Sequence, residues 1–190
     1  VAAELAEPVP DAAVLLARIA DGSEQALAHF YKSFHARVYA FVLRRLNDPA
    51  EASDILNEVM LEVWRSASRF ESRSQPLTWV LGIAHHKVLD ALRRRGRRQT
   101  EELDESLADE DAPSASDLMN AAQNAAFLRH CLDRLSDAYR MVMHLAFFED
   151  LPYPEIAEIV ECPLGTVKTR VFHAKRLLKE CLSSQLARSP

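Results

Sequence analysis

The chain has 190 residues, 48% of them apolar and 27% charged, enough for one or two packed domains and too apolar for global disorder. Only four glycines occur, and the nine prolines mostly sit beside periodic segments, which favours an all-helical protein over a barrel or sandwich. The formal charge of −5 argues against tight nucleic-acid binding by the whole free chain. Leu77 to Ala84 is the longest clean apolar stretch, well short of the roughly 20 residues a bilayer span needs, and Glu4 and Glu7 stand where a signal peptide would be basic. Cys131, Cys162 and Cys181, odd in number and far apart, predict reduced thiols buried as small hydrophobes. A soluble intracellular protein is expected.

Asp11 is placed to cap a short helix carrying Val14, Leu15 and Ile19 that stops at Asp21-Gly22. Ser23 caps a longer one, in which Leu27, Phe30, Tyr31, Phe34, Val38 and Phe41 recur at steps of three and four. Asp48-Pro49-Ala50-Glu51 is a start signal for a third helix, with Ala52, Ile55, Val59 and Val63 on its inner stripe. Met60, Leu61 and Trp64 fall outside that stripe, next to Asp54, Asn57, Glu58 and Glu62. Such a mixed surface reads as a protein docking site or a second core contact.

Ser74-Gln75-Pro76 opens the next helix, with Leu77, Val80, Leu81, Ala84, Val88 and Leu92 inward. It runs into Arg93-Arg94-Arg95-Gly96-Arg97-Arg98, where Gly96 suits a C-cap and the arginines exceed what capping requires. A phosphate-binding patch is the functional reading. Phe70, Trp79, His85, His86 and Lys87 bring rings and cations near the loop Glu71–Gln75; aromatic faces beside positive charge suit single-stranded bases, although Phe70 and Trp79 taken alone fit a core better and only the combination points to bases.

Charge then changes abruptly. Residues 1–98 hold 14 Lys/Arg against 12 Asp/Glu, residues 99–120 no Lys/Arg against 8 Asp/Glu, and residues 121–190 hold 9 against 8. The acidic, Pro- and Ser-containing middle predicts a flexible linker over 97–117 between domains over 11–96 and 118–184; a solvated loop inside one domain is the alternative. Extended, about 20 such residues span ~60 Å, or ~18 base pairs.

Leu118 to Leu135 and Ser136 to Glu149 read as two helices, with Leu128, Leu132, Leu135, Val142 and Leu145 as core. Tyr153 to Arg170 has the form of a helix-turn-helix: a short helix with Ile156, Ala157 and Val160, a turn at Glu161-Cys162-Pro163, and a second helix through Leu178. From Cys162 to Lys179 no residue is acidic, and Lys168, Arg170, Lys175, Arg176 and Lys179 are basic. Val167, Val171, Ala174 and Leu178 keep the inner face, leaving Thr166, Lys168, Thr169, Arg170, Phe172 and His173 for a DNA groove.

The order of these segments resembles the extracytoplasmic-function (group IV) sigma factors of bacterial RNA polymerase, over roughly Val14 to Leu182. Ala52 to Arg65 is similar to that family's core-polymerase-binding helix, Thr78 to Arg95 to its −10 recognition helix, and Tyr153 to Lys175 to its −35 helix-turn-helix. The resemblance implies an all-α pair of domains, sigma-2-like and sigma-4-like, in a cytoplasmic, non-enzymatic initiation factor. It implies that Asp54, Asn57, Glu58 and Leu61 dock on the polymerase. It also implies that Phe70, Ser72, Arg73, Ser74, Trp79, His86, Lys87, Arg93, Arg94 and Arg95 hold the −10 element. Thr166, Lys168, Thr169, Arg170, Phe172, His173, Lys175 and Arg176 would face the −35 element. The implied partners are core polymerase (beta-prime and beta subunits), promoter DNA and an anti-sigma factor, often one tied to a membrane sensor, with no membrane insertion by this chain. The acidic linker would thread the polymerase cleft. Three departures stand out: His85-His86 where the family commonly has Arg-Asn, His173 where a second Arg is usual, and Asn57 in place of Gln.

Two other readings compete. A free-standing helix-turn-helix regulator explains residues 136–182 but leaves the arginine cluster and the mixed helix unused. A metalloprotein would draw on His85, His86, His130, Cys131, His144, Cys162, His173 and Cys181, but no pair has a metal-site spacing. No cofactor, no metal and no catalysis are expected, because the chain has neither a Gly-rich phosphate loop nor a nucleophile–base pair.

Overall fold

The structure, a computed structural model, describes residues 11–101 and 126–186, with side chains over 11–96 and 126–184. Regular structure among the described residues is helical throughout, in two compact units.

The first unit packs α1 (Ala12–Ala20), α2 (Glu24–Leu46), α3 (Pro49–Ser66) and α4 (Pro76–Glu101) around one core. Its starts follow the capping chemistry of the sequence. The Asp11 carboxylate accepts from Ala13 N–H, the Ser23 hydroxyl from Ala26 N–H, and Asp48 Oδ1 from both Ala50 and Glu51 N–H at 3.0 Å. Asn47 ends α2 in the left-handed region (φ 51), which Asn tolerates, so α2 turns directly into α3. Leu15, Leu16, Ile19, Phe30, Phe41, Ile55, Val59, Val63, Val80, Leu81, Ala84 and Val88 are buried. Val14 and Tyr31, expected inward, are exposed, and Leu16 fills the core instead of Val14. Met60, expected outside the α3 stripe, is buried.

Gly96 does not end α4. The helix continues to Glu101, taking in the first residues of the expected linker; the remainder, 102–117, lies outside the described residues. What holds the end of α4 against the unit is Arg95. Its Nη1 donates to the Leu46 carbonyl at 2.8 Å, its Nη2 lies 3.3 Å from Asp48 Oδ2, and Glu51 completes the pairing. One guanidinium thus engages both the negative end of α2 and the acid cap of α3.

The second unit contains α5 (126–133), α6 (Asp137–Phe147), α7 (Tyr153–Ile159) and α8 (Leu164–Leu186). Leu135, Met141, Val142, Leu145, Ile156, Ile159, Val167, Val171, Ala174 and Leu178 form its core, with His144 Nε2 3.3 Å from Glu149 Oε1 in a buried pair. Arg140 fastens the end of α5 by donating to the Asp133 and Leu135 carbonyls at 2.7 and 3.1 Å. Leu128, expected in the core, is exposed.

The cysteines correct the sequence reading. Cys131 and Cys181 form a disulfide, and Cys162 keeps its thiol. Fifty residues separate the pair along the chain, but α5 and α8 bring their Cα atoms to 5.8 Å, a proximity that spacing alone does not reveal. Closing a loop of that length removes about 4 kcal/mol of unfolded-chain entropy. Reduction is therefore expected to lower the melting temperature of the second unit, followed by far-UV circular dichroism. Both tryptophans, Trp64 and Trp79, lie in the first unit and report its melting separately, expected to be unchanged. Coincident melting with and without reductant would contradict this.

His85 is buried on α4 with its Nδ1 unpartnered. Burial, followed by the neighbouring His86 and Arg45 charges, lowers its pKa from 6.5 to about 4. The folded state keeps the ring neutral while the unfolded state takes up a proton below 6.5, so stability is lost as pH falls from about 6.5 towards 4. Urea unfolding read by tryptophan fluorescence should show a His85→Gln variant losing on the order of 2 kcal/mol less than the parent between pH 7 and 4.5.

Candidate nucleic-acid interface

Helix α4 buries Val80, Ala84, Val88 and Ala91 and turns its opposite side to solvent. Trp79, His86, Asp90 and Arg93 recur there at steps of seven, four and three, with Arg94 alongside, so they share one face. His86, Asp90, Arg93 and Arg94 are exposed; Trp79 and Lys87 are half-buried. At the start of α4 the Phe70 ring lies 5.5 Å from that of Trp79, tilted by 59°, so the two aromatics support each other at the edge of the core. Between them the loop carries Ser72 in the left-handed region (φ 54), exposed Arg73 bonded to Glu71 at 2.6 Å, and half-buried Ser74. A ring pair, a strained polar loop and a run of cations on the adjoining helix face can stack bases and hold a phosphate backbone.

Arg95 does not belong to this face. It extends the buried series Ala84, Val88, Ala91 by one further step of four and is spent inside the unit on Leu46, Asp48 and Glu51. Sequence reasoning grouped it with Arg93 and Arg94; the structure places it apart from them, as the spacing from Ala84 onward indicates. Asp90, absent from the sequence reading of this face, lies in its middle and pairs with Arg93 at 3.2 Å.

On α3, Asp54, Asn57, Glu58 and Leu61 are all exposed and follow one another at steps of three, one and three, so they form one continuous face. Leu61 is 47% exposed, the one large apolar side chain on it, while Trp64 is half-buried. The two faces touch: Lys87 Nζ of α4 lies 3.7 Å from Glu58 Oε2 of α3.

In the second unit α7 and α8 form a helix-turn-helix. The turn is made by Glu161 in the left-handed region (φ 48), with Cys162 N–H donating to the Ala157 carbonyl at 3.1 Å. Pro163 precedes α8, and its carbonyl accepts from Thr166 N–H at 2.8 Å. Lys168, Phe172 and Lys175 share the exposed side of α8, with Phe172 65% exposed. Thr169 and Arg176 flank them; the Thr169 hydroxyl donates to the Gly165 carbonyl at 2.9 Å, and Arg176 lies 3.9 Å from Glu180. Lys175 also sits 5.0 Å over the Phe147 ring. Thr166, Arg170 and His173 are half-buried on the other flank, where Arg170 approaches the Cys162 sulfur at 3.7 Å. Among the described residues no group of three His, Cys, Asp or Glu is placed to hold a metal, and no helix is long and apolar enough to cross a membrane.

Comparison with known proteins agrees with this geometry. Residues 30–98 match the family model of sigma-70 region 2, and residues 128–178 that of sigma-70 region 4. The chain is 34% identical over 175 residues to the ECF RNA polymerase sigma factor SigK of Mycobacterium tuberculosis (strain ATCC 25618 / H37Rv), covering 90% of this chain and 94% of that protein. It is 33% identical over 177 residues to SigK of Mycobacterium ulcerans (strain Agy99), covering 92% and 95%. Among solved structures, the sigma factor RpoE of Bartonella quintana, crystallised with the anti-sigma factor NepR, superposes with a TM-score of 0.64 at 25% identity, covering 80% of this chain and 94% of that one. CnrH, in complex with the cytosolic domain of CnrY, shares the fold with a TM-score of 0.65 at 19% identity, covering 92% and 99%. With both region models matched and such identity along nearly its whole length, the chain belongs to the ECF family of RNA polymerase sigma factors.

Proposed function

We propose that the chain is a non-enzymatic transcription initiation factor that joins core RNA polymerase and directs it to promoters. In this reading Asp54, Asn57, Glu58 and Leu61 dock on the polymerase. The Phe70–Trp79 edge, the Ser72–Ser74 loop, His86 and the cations Lys87, Arg93 and Arg94 hold the melted −10 strand. Helix α8 reads the −35 element through Lys168, Phe172 and Lys175, with Thr166, Thr169, Arg170, His173 and Arg176 at its flanks. The polymerase surfaces are those of the beta-prime and beta subunits. The chain is held in reserve by an anti-sigma factor, as its relative RpoE is found with one, and that factor is tied to a membrane sensor.

One observation carries the proposal: an exposed acid–amide–leucine face on α3 lies directly beside a cationic, aromatic-edged face on α4. A free-standing helix-turn-helix regulator has no use for that pairing of surfaces. Run-off transcription with purified core polymerase is the test. Transcripts should require the chain, and the Arg93→Ala/Arg94→Ala double variant should lower promoter opening at least ~10-fold through lost phosphate contacts while leaving urea stability unchanged. Arg95→Ala should instead lower stability by about 1–2 kcal/mol, because its contacts are internal and partly exposed. Tight promoter binding without core polymerase, at physiological salt, would favour the regulator instead.

A further inference from the structure

Three cations of the α4 interface are each paired with a carboxylate. Arg73 meets Glu71 at 2.6 Å, Arg93 meets Asp90 at 3.2 Å, and Lys87 meets Glu58 at 3.7 Å. The first two pairs are local, within one loop and one helical turn, and both partners of each are well exposed, so solvent exchanges with them readily. The third differs in kind. It bridges two helices, its lysine is the more covered partner at 31% against 46%, and its glutamate belongs to the exposed face of α3.

We infer that the Glu58–Lys87 ion pair couples the two faces of the first unit. A cationic protein surface that engages Glu58 releases Lys87 to a nucleic-acid phosphate. Conversely, a phosphate that takes Lys87 leaves Glu58 available to that protein. The inference rests on the proposed function in assigning a protein to the α3 face and nucleic acid to the α4 face. Because this is a coupling free energy, the effect has the same size in both directions. A half-exposed pair limits it to about three-fold in affinity.

The full chain is titrated into a fluorescently labelled, short single-stranded oligodeoxynucleotide at low salt, with anisotropy as readout. Glu58→Gln should bind about three-fold more tightly than the parent, and its dependence of log K on log salt should steepen by up to ~0.7, the signature of one further phosphate neutralised. Asp54→Asn removes the same charge from the same face and should change little. In a Lys87→Gln background the gain from Glu58→Gln should vanish. In the reciprocal arm, Lys87→Gln should bind core RNA polymerase about three-fold more tightly in the absence of DNA. Equal gains from Asp54→Asn and Glu58→Gln, or a gain that survives Lys87→Gln, would overturn the inference, since a general field effect would then suffice. Failure of the parent chain to bind core polymerase would instead remove the proposed function, while the oligonucleotide arm still decides the role of the pair.

Discussion

The Arg95 guanidinium sits where the carbonyl end of α2, the acid cap of α3 and the buried side of α4 converge. Both faces of the first unit depend on this junction. Asp48 caps the start of α3, and the same carboxylate anchors α4 through Arg95. The direction of α4 and the starting register of α3 are consequently tied by one side chain on each helix. The cationic face of α4 then follows without further instruction, because a helix that buries Val80, Ala84, Val88 and Ala91 must present Trp79, His86 and Arg93 on its opposite side.

Much of this was legible in the sequence because it is set locally. Caps at Asp11, Ser23 and Asp48 act over two or three residues, and the α3 and α8 stripes repeat at helical spacing, so composition and periodicity suffice. What escaped was set by long-range packing. Leu16 rather than Val14 is buried where α1 packs on α2, a choice that the apolar run Val14-Leu15-Leu16 does not specify by itself. Gly96 reads as a stop because glycine commonly ends helices, yet α4 continues through that position to Glu101. The disulfide and the Glu58–Lys87 contact join residues from different helices, and nothing in their local sequence marks the partner.

Electrostatics separates the two candidate interfaces more than their shared positive charge suggests. On α4 acidic partners lie among the cations, so any nucleic acid displaces internal ion pairs as it binds. Helix α8 has no acidic residue from Leu164 through Lys179; Arg176 meets Glu180 just beyond that run, and Lys175 rests against an aromatic ring instead of a carboxylate. The cations of the first interface are therefore more fully paired within their unit than those of the second.

The bond between Cys131 and Cys181 also has a topological result. It ties α5 to α8 and so encloses α6, α7, the turn at Glu161 and most of α8 in a single covalent ring. A protease that nicks any exposed peptide within that ring leaves the two pieces attached, and the helix-turn-helix keeps both its framing helices after a cut that would sever a linear chain.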